Sequence, residues 1–274
     1  MSGVARRLDV ELLAALPRLQ RDPRLLTPDR QAAYAARLAA VEARSVVWLA
    51  ERESEPGIVA LARRHAFGLY PIVPNMQSYM RDASEHGVVG AAIARFRRLG
   101  PAAQVRLALR HARRAPRVAA RDFATGLLVL VDMELARLRH LGLVGALLNP
   151  SVTDLVLALD VPALLRDFVR LVERSYGLEA ALGTYNYGTL VPRLAARGIR
   201  PGAIAAPFNP RGYLMNPSRA ACEATAKGPG PPVVATHLEV DGLVPLEAAV
   251  EYAAGLGIRR AVVDLAVETS APPA

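Results

Sequence analysis

The stretch Ala203-Ile-Ala-Ala-Pro-Phe-Asn209 is a short apolar run that stops at an asparagine, and helix signals follow it. The same order of features occurs at Tyr70-Pro-Ile-Val-Pro-Asn75, Leu143-Val-Gly-Ala-Leu-Leu-Asn149 and Ala181-Leu-Gly-Thr-Tyr-Asn186. Repeated strand-turn-helix units favour a parallel sheet, because parallel strands need a crossover that a helix usually provides. The pattern therefore predicts an α/β fold, a (β/α)8-type TIM barrel with polar groups gathered at the carboxyl ends of its strands.

Seven strands are visible in the sequence. They are predicted at 45–50, 69–74, 143–148, 180–185, 203–208, 233–239 and 260–266. An eighth strand could lie near residues 8–16, but that stretch is more typical of a helix, so a complete barrel and an atypical or incomplete one both stay open. A chain of 274 residues can form one such barrel, and we expect residues 1–274 to be a single domain.

One connection is too long for a single crossover helix, and it holds an arginine-rich sequence. Residues 76–141 are therefore predicted to be a helical insertion. Its arginines include Arg95, Arg97, Arg98, Arg106, Arg110, Arg113, Arg114, Arg117 and Arg121. Three interpretations stay open: solvated helix faces, a lid over the barrel mouth, and a surface that binds an anionic partner or a membrane.

The high positive charge of the chain does not by itself indicate a functional class. The net charge is +9, yet Lys227 is the only lysine among 34 basic residues, which is the amino-acid usage of a GC-rich genome. With few aromatic residues near the arginines, we expect no specific nucleic-acid partner. No apolar run reaches the ~20 residues that span a bilayer, and no secretory signal is visible, so a cytoplasmic location is expected.

A histidine and a glutamate, two residue types that can transfer protons, lie close together at the end of a predicted strand. His237 and Glu239 lie two residues apart, so strand alternation predicts that both point into the barrel, with Val234, Leu238 and Val240 facing the helices. Such a pair can act as acid and base or supply half of a metal site. We interpret both as catalytic residues and assign no metal; Glu51, Glu53, Asp241 or Asp264 would complete the site.

Asparagines at the strand ends form a second candidate set. A carboxamide donates and accepts hydrogen bonds, which suits the positioning of a carbonyl or carboxylate, and it is also a good helix cap. Arg211 follows in a polar loop and could hold an anion. The predicted substrate-binding residues are Asn75, Asn149, Tyr185, Asn186, Asn209 and Arg211.

From Leu143 onward the order of motifs resembles the C-terminal half of the aldo/keto reductases. Gly145-Ala-Leu-Leu-Asn-Pro150 resembles the strand that carries the catalytic histidine of that family. Leu182-Gly-Thr-Tyr-Asn186 resembles its Gly-Val-Ser-Asn segment, and Ile204-Ala-Ala-Pro-Phe-Asn209 its Gln-Val-Pro-Tyr-Asn strand. The resemblance implies a barrel.

The chain departs from that family at the residues that carry hydride chemistry. Asn149 occupies the position of the histidine, Tyr185 that of the serine in the nicotinamide-binding pair, and Ala205 that of the glutamine; Asn186 matches. The last strand lacks the continuation that holds the cofactor's phosphate. The resemblance therefore implies a related barrel without the family's hydride transfer.

Three functions follow as hypotheses. The first is a non-redox lyase or isomerase that acts on a small or partly apolar carbonyl or carboxylate substrate. The second is an NADPH-dependent reductase. The third is an inactive barrel that binds an anionic partner or membrane surface through residues 95–121. The sequence assigns no cofactor.

Overall fold

The computed structural model describes residues 5, 8–15, 28–50, 55–120 and 122–264, which include a closed barrel of eight parallel strands. The strands are β1 (Glu11–Ala15), β2 (Ser45–Leu49), β3 (Gly68–Val73), β4 (Gly145–Leu148), β5 (Glu179–Gly183), β6 (Ala203–Pro207), β7 (Val233–Thr236) and β8 (Arg260–Asp264). Each strand pairs with its neighbours in chain order, and β8 pairs with β1 to close the barrel. The predicted (β/α)8 TIM-barrel fold is confirmed.

Helices alternate with the strands around the outside of the barrel. They are α1 (Pro28–Ala40), α2 (Glu55–His65), α3 (Met76–Arg97), α4 (Pro101–His111), α5 (Ala115–Ala119), α6 (Phe123–Leu138), α7 (Pro150–Ala158), α8 (Pro162–Arg170), α9 (Tyr187–Ala196), α10 (Arg219–Ala226) and α11 (Leu246–Gly255). A π-helical turn, Leu171–Tyr176, extends α8. Helices α3 to α6 all lie between β3 and β4.

The first strand corrects the interpretation of residues 8–16 as helical. Glu11–Ala15 is a strand that pairs in parallel with both β2 and β8, so the barrel is complete. Leucine and alanine favour a helix in isolation, and the sequence offers no signal against one. Two neighbouring strands override that preference, because Leu13 packs inside the barrel while Leu12 and Ala14 pack beneath the helices.

The amino-terminal end of the barrel is closed by an ion-pair network. Arg260 donates two hydrogen bonds to the Glu179 carboxylate, at 2.7 and 3.0 Å. The Tyr70 hydroxyl donates to the same carboxylate at 3.1 Å. Burial and the nearby Glu179 charge raise the pKa of Tyr70, so its hydroxyl keeps its proton. These three side chains come from β3, β5 and β8, and they tie the strands together across the interior.

The Tyr70 ring packs against Gly145, in space that the side chain of any other residue at position 145 would occupy. A Cβ atom added at Gly145 on β4 would collide with the Tyr70 ring. The ring cannot move aside without losing the hydrogen bond from its hydroxyl to Glu179.

We expect Gly145→Ala to lower the free energy of unfolding by about 1–3 kcal/mol, the usual cost of overpacking a core. Gly126→Ala is the matched control, because Gly126 lies within α6 and an added methyl group meets no atom there within 4 Å. The control should stabilise the protein by about 0.5–1 kcal/mol. Urea unfolding of both variants measures the difference, and equal effects would contradict the assigned packing.

Candidate acid/base site

The loop after β7 carries the predicted catalytic pair at the carboxyl-terminal mouth of the barrel. The strand ends at Thr236, earlier than predicted, and His237 has a left-handed backbone with φ 52°. Val240 and Asp241 are also left-handed, at 47° and 54°. Such conformations cost about 1–3 kcal/mol each and are concentrated at functional sites.

The left-handed turn changes which residues face the helices. Leu238 and Val240 belong to the apolar cluster beneath the helices, as predicted. Val234 does not, because it packs inside the barrel with Val47 and Val262. Strand alternation therefore places Thr236 inside the barrel, as it places Val234. His237 and Glu239 lie beyond the end of the strand, so alternation does not determine where their side chains point.

His237 is half-buried between a hydroxyl and an aromatic ring. Its Nδ1 lies 3.1 Å from Thr236 Oγ1, within hydrogen-bond distance. Its ring meets the Tyr185 ring edge-on, with the centroids 5.8 Å apart. Burial lowers the pKa of His237 below 6.5, although the charges of Asp264 and Asp241 partly oppose this shift. The imidazole is therefore neutral at pH 7, as a general base must be.

Two carboxylates, Asp264 and Asp241, lie close enough to this imidazole to affect its pKa. Asp264 ends β8 and shares the inward position of Val262, two residues earlier. The Asp264 side chain is in contact with solvent, but partial burial in the barrel mouth raises its pKa. The His237 charge lowers this pKa, and the Asp241 charge raises it. Desolvation and then the Asp264 charge raise the pKa of Glu239. His237 thus couples to Asp264 and Asp241, and Glu239 couples to Asp264.

We expect Asp264→Asn to lower the pKa of His237 further, because the Asp264 carboxylate favours the imidazolium. The pKa is measured by NMR titration of the imidazole Cε1 proton, with the His237→Asn spectrum providing the assignment. Asp160→Asn is the control, because Asp160 is an exposed aspartate paired with Arg197. A raised His237 pKa in Asp264→Asn would contradict the assigned coupling.

Tyr185 is held in place by its backbone. Its amide donates to Asp154 Oδ2 at 3.0 Å, and its carbonyl accepts from the Asn216 side chain at 3.0 Å. Asp154 also accepts from the Thr184 hydroxyl. Burial, Asp154 and Tyr213 all raise the pKa of Tyr185, so its phenol is protonated at neutral pH.

The loop after β6 carries Arg211. Asn209 is fully buried, and its side-chain amide accepts from the Tyr213 backbone at 2.9 Å and donates to it at 3.0 Å. Both amide atoms are thus engaged, and Asn209 shapes the loop rather than facing a ligand. Arg211 is exposed and makes no ion pair with a described residue. Tyr213 lies close enough to Tyr185 to affect its pKa, so the loop reaches the mouth.

The other three asparagines divide into two caps and one uncommitted side chain. Asn75 is 1% exposed and caps α3 by accepting from the Ser78 amide. Asn149 caps α7 by accepting from the Ser151 amide. Asn186 is half-buried beside Tyr185, and its side-chain amide makes no hydrogen bond within the described residues. The side-chain nitrogen of Asn75 is also unpaired, but it is buried, so Asn186 is the one of the four whose position still fits the predicted contact with a substrate.

A metal ion would need several ligating side chains gathered in this region. Within the described ranges, no group of three or more His, Cys, Asp or Glu side chains is arranged to hold a metal ion. Glu51 and Glu53, which the sequence offered as further members of the site, lie outside the described residues.

No family model matches this chain. Neither a curated protein nor a solved structure shows significant similarity to it. Among the described helices, none is long and apolar enough to cross a membrane. The resemblance to aldo/keto reductases therefore rests on the sequence motifs alone, while the barrel itself is shown by the structure.

Sequence reasoning missed two residues that support the site. Asp154 on α7 holds the turn at Thr184 and Tyr185, but nothing in its spacing from Tyr185 marks the contact. Thr236 pairs with His237, although the expected alternation assigned it to the helix-facing side. The inward alternation in β8 from Val262 to Asp264 is the one signal that could have selected Asp264 among the acidic candidates.

Proposed function

We propose that this protein is a non-redox barrel enzyme that moves a proton on a small or partly apolar carbonyl or carboxylate substrate, as a lyase or isomerase does. One observation carries the proposal: a neutral, half-buried histidine is coupled to carboxylates at the mouth of the barrel. In barrels of this type the active site lies at that end. Paired groups whose surroundings shift their pKa values in useful directions are typical of acid/base sites.

His237 is the base in this proposal. It removes a proton from the carbon next to the substrate carbonyl, and the electron pair of the broken C–H bond forms an enolate. Asp264 stabilises the imidazolium that results. The proton then returns to a neighbouring carbon in an isomerase, or protonates a departing group in a lyase. Glu239, whose pKa is raised, can carry a proton at a higher pH than an ordinary glutamate.

Arg211 and Asn186 bind the substrate in this proposal. The exposed Arg211 guanidinium is available for a carboxylate or a developing enolate oxygen, because it has no ion-pair partner among the described residues. The Asn186 side-chain amide can donate to a carbonyl oxygen. The Tyr185 and Tyr213 rings offer apolar surface beside them, which suits a substrate with a partly apolar body.

Ligand-induced thermal stabilisation tests the binding part of the proposal. The compounds are small 2-oxo acids, 2-hydroxy acids, aldehydes and ketones, because a ligand that binds the native state raises the melting temperature. We expect a carboxylate-bearing compound to stabilise the wild type and to lose its effect in Arg211→Ala. Arg200→Ala is the control, an arginine in the loop before β6. Stabilisation that survives Arg211→Ala, or none at all, would contradict the assigned anion contact.

The reductase interpretation remains a prediction from the aldo/keto reductase motifs, and the same measurement tests it. NADPH and NADP belong among the compounds for that reason. The sequence differences at Asn149 and Tyr185 predict no stabilisation by either nucleotide. A clear shift with NADPH would replace proton transfer with carbonyl reduction as the leading function.

A further inference from the structure

The helix α4 has two faces of opposite character. Positions 103, 104, 107, 110 and 111 are buried or half-buried, whereas positions 102, 105, 106, 108 and 109 are exposed. The exposed positions include two large apolar side chains, Val105 at 59% and Leu109 at 74% exposed. Arg106 lies beside them, and Arg113 is exposed in the 3₁₀ turn that follows. We call Val105, Arg106, Leu109 and Arg113 the α4 face.

The inner side of α4 is fixed to the rest of the protein. Leu107 packs in an apolar cluster with Leu99, Leu130 and Met133. The Gln104 side chain donates to the Leu99 carbonyl oxygen at 2.8 Å, which secures the preceding turn. The helix therefore cannot roll to bury Val105 and Leu109 without breaking these contacts. The exposure of the α4 face is a consequence of how the helix is anchored.

The arginines of this region fall into two groups. Arg110 pairs with Asp132, and Arg114 with Asp167. Arg106 and Arg113 make no ion pair with a described residue, and no aspartate or glutamate occurs in the sequence between Arg98 and Asp122. The α4 face is therefore apolar and positively charged, without local carboxylates to neutralise it.

We infer that the α4 face docks on an anionic lipid surface. Apolar side chains flanked by arginines on one side of a helix match the boundary between acyl chains and negatively charged headgroups. A second copy of the chain fits less well. A two-fold interface would place the α4 face against itself and bring like charges together without carboxylates between them. Nucleic acid fits less well because the face carries no aromatic side chain on which bases could stack.

Co-sedimentation with lipid vesicles tests the inference on the full chain. The vesicles contain phosphatidylcholine alone or phosphatidylcholine with about one third phosphatidylglycerol. We expect binding to the anionic vesicles that weakens as ionic strength rises. Each of Arg106→Gln and Arg113→Gln should lower the partition coefficient about fivefold. Leu109→Asp should lower it at least about tenfold, because the apolar contact is lost.

Matched controls lie on other helices. Arg63→Gln and Arg64→Gln remove exposed arginines of α2, and Leu159→Asp changes a leucine that is 55% exposed after α7. These should bind like the wild type, with circular dichroism confirming that every variant is folded.

Five outcomes would overturn the inference. They are no binding to anionic vesicles, equal binding to neutral vesicles, equal losses in the controls, tighter binding to DNA or RNA in the same buffer, and a concentration-dependent dimer that Leu109→Asp abolishes. The inference does not depend on the proposed enzyme activity, which His237→Asn tests separately.

Discussion

Asp132→Asn is expected to lower the free energy of unfolding by about 3–5 kcal/mol, since it removes the buried negative charge beside Arg110 and replaces one of the two accepting oxygens with an NH2 donor. Asp132 lies on α6 with no exposed surface. It accepts hydrogen bonds from Arg110 at 2.5 Å, from His111 at 2.7 Å and from the Tyr176 hydroxyl. This carboxylate joins α4, α6 and the π-helical turn, so its loss should destabilise the whole region between β3 and β4.

Chemical denaturation at neutral pH measures the effect. Asp160→Asn is the control, because the side chain of Asp160 is 62% exposed and its pair with Arg197 lies at the surface. An exposed pair contributes less than about 1 kcal/mol. Equal losses in the two variants would contradict the role assigned to Asp132.

The same carboxylate predicts a pH dependence. Burial alone would raise the pKa of Asp132, but the hydrogen bonds from His111 and Tyr176 and the charge of Arg110 outweigh it and lower the pKa. A group with a lowered folded pKa contributes its full stability above its unfolded pKa of 3.8, and loses it as the pH falls through the folded value. The stability difference between wild type and Asp132→Asn should therefore be constant near neutrality and shrink as the pH falls below 3.8.

His237→Asn is expected to reduce proton transfer by about 10²- to 10⁴-fold while leaving stability nearly unchanged. Asparagine tolerates the left-handed backbone that His237 adopts at φ 52°, so the loop keeps its shape. The measurement is the initial rate of deuterium incorporation from D₂O into the compound that stabilises the wild type most strongly.

Comparison with a second histidine separates a specific effect from a general one. His140→Asn changes an exposed histidine after α6, and its rate should match that of the wild type. Unchanged deuterium incorporation in His237→Asn would remove His237 from the chemistry. A large fall in melting temperature would contradict the expectation that asparagine fits the turn.

The fold was largely predictable because its signal is repeated. Apolar runs that end at Asn75, Asn149, Asn186 and Asn209 mark four strand ends. Each run alone is a weak signal, but the four together predict the barrel. Residues 11–15 were missed because Glu-Leu-Leu-Ala-Ala carries helical propensity, and only pairing with β2 and β8 makes it a strand. Local sequence does not contain that information.

The location of the candidate site was predictable, because the mouth of the barrel follows from the fold, but its internal arrangement was less so. His237 was selected because it lies two residues before Glu239 at the end of a predicted strand, and its catalytic role stays a prediction. The electrostatic coupling of His237 to Asp264 could not be predicted. The predicted pairing of His237 with Glu239 assumed that strand alternation continues to residue 239, whereas the left-handed backbone of His237 ends it. Asn75 and Asn149 were predicted as ligand contacts because a helix cap and a ligand contact use the same side chain, and the hydrogen bonds to Ser78 and Ser151 identify them as caps.

The roles of the arginines between β3 and β4 also could not be predicted from the sequence. In the sequence, Arg110 and Arg106 are equivalent members of one basic run. In the structure Arg110 meets Asp132, whereas Arg106 faces outward beside Leu109. Pairing with distant carboxylates decides which basic residues stabilise the fold and which remain available to a partner.

The pH dependence of deuterium incorporation tests directly whether His237 is the base at the mouth of the barrel. We expect a rate that falls at acidic pH with a midpoint below 6.5, because burial lowers the pKa of His237. In Asp264→Asn this midpoint should move to still lower pH. A midpoint that is unchanged in Asp264→Asn, or a rate that does not fall at acidic pH, would contradict the assignment of His237.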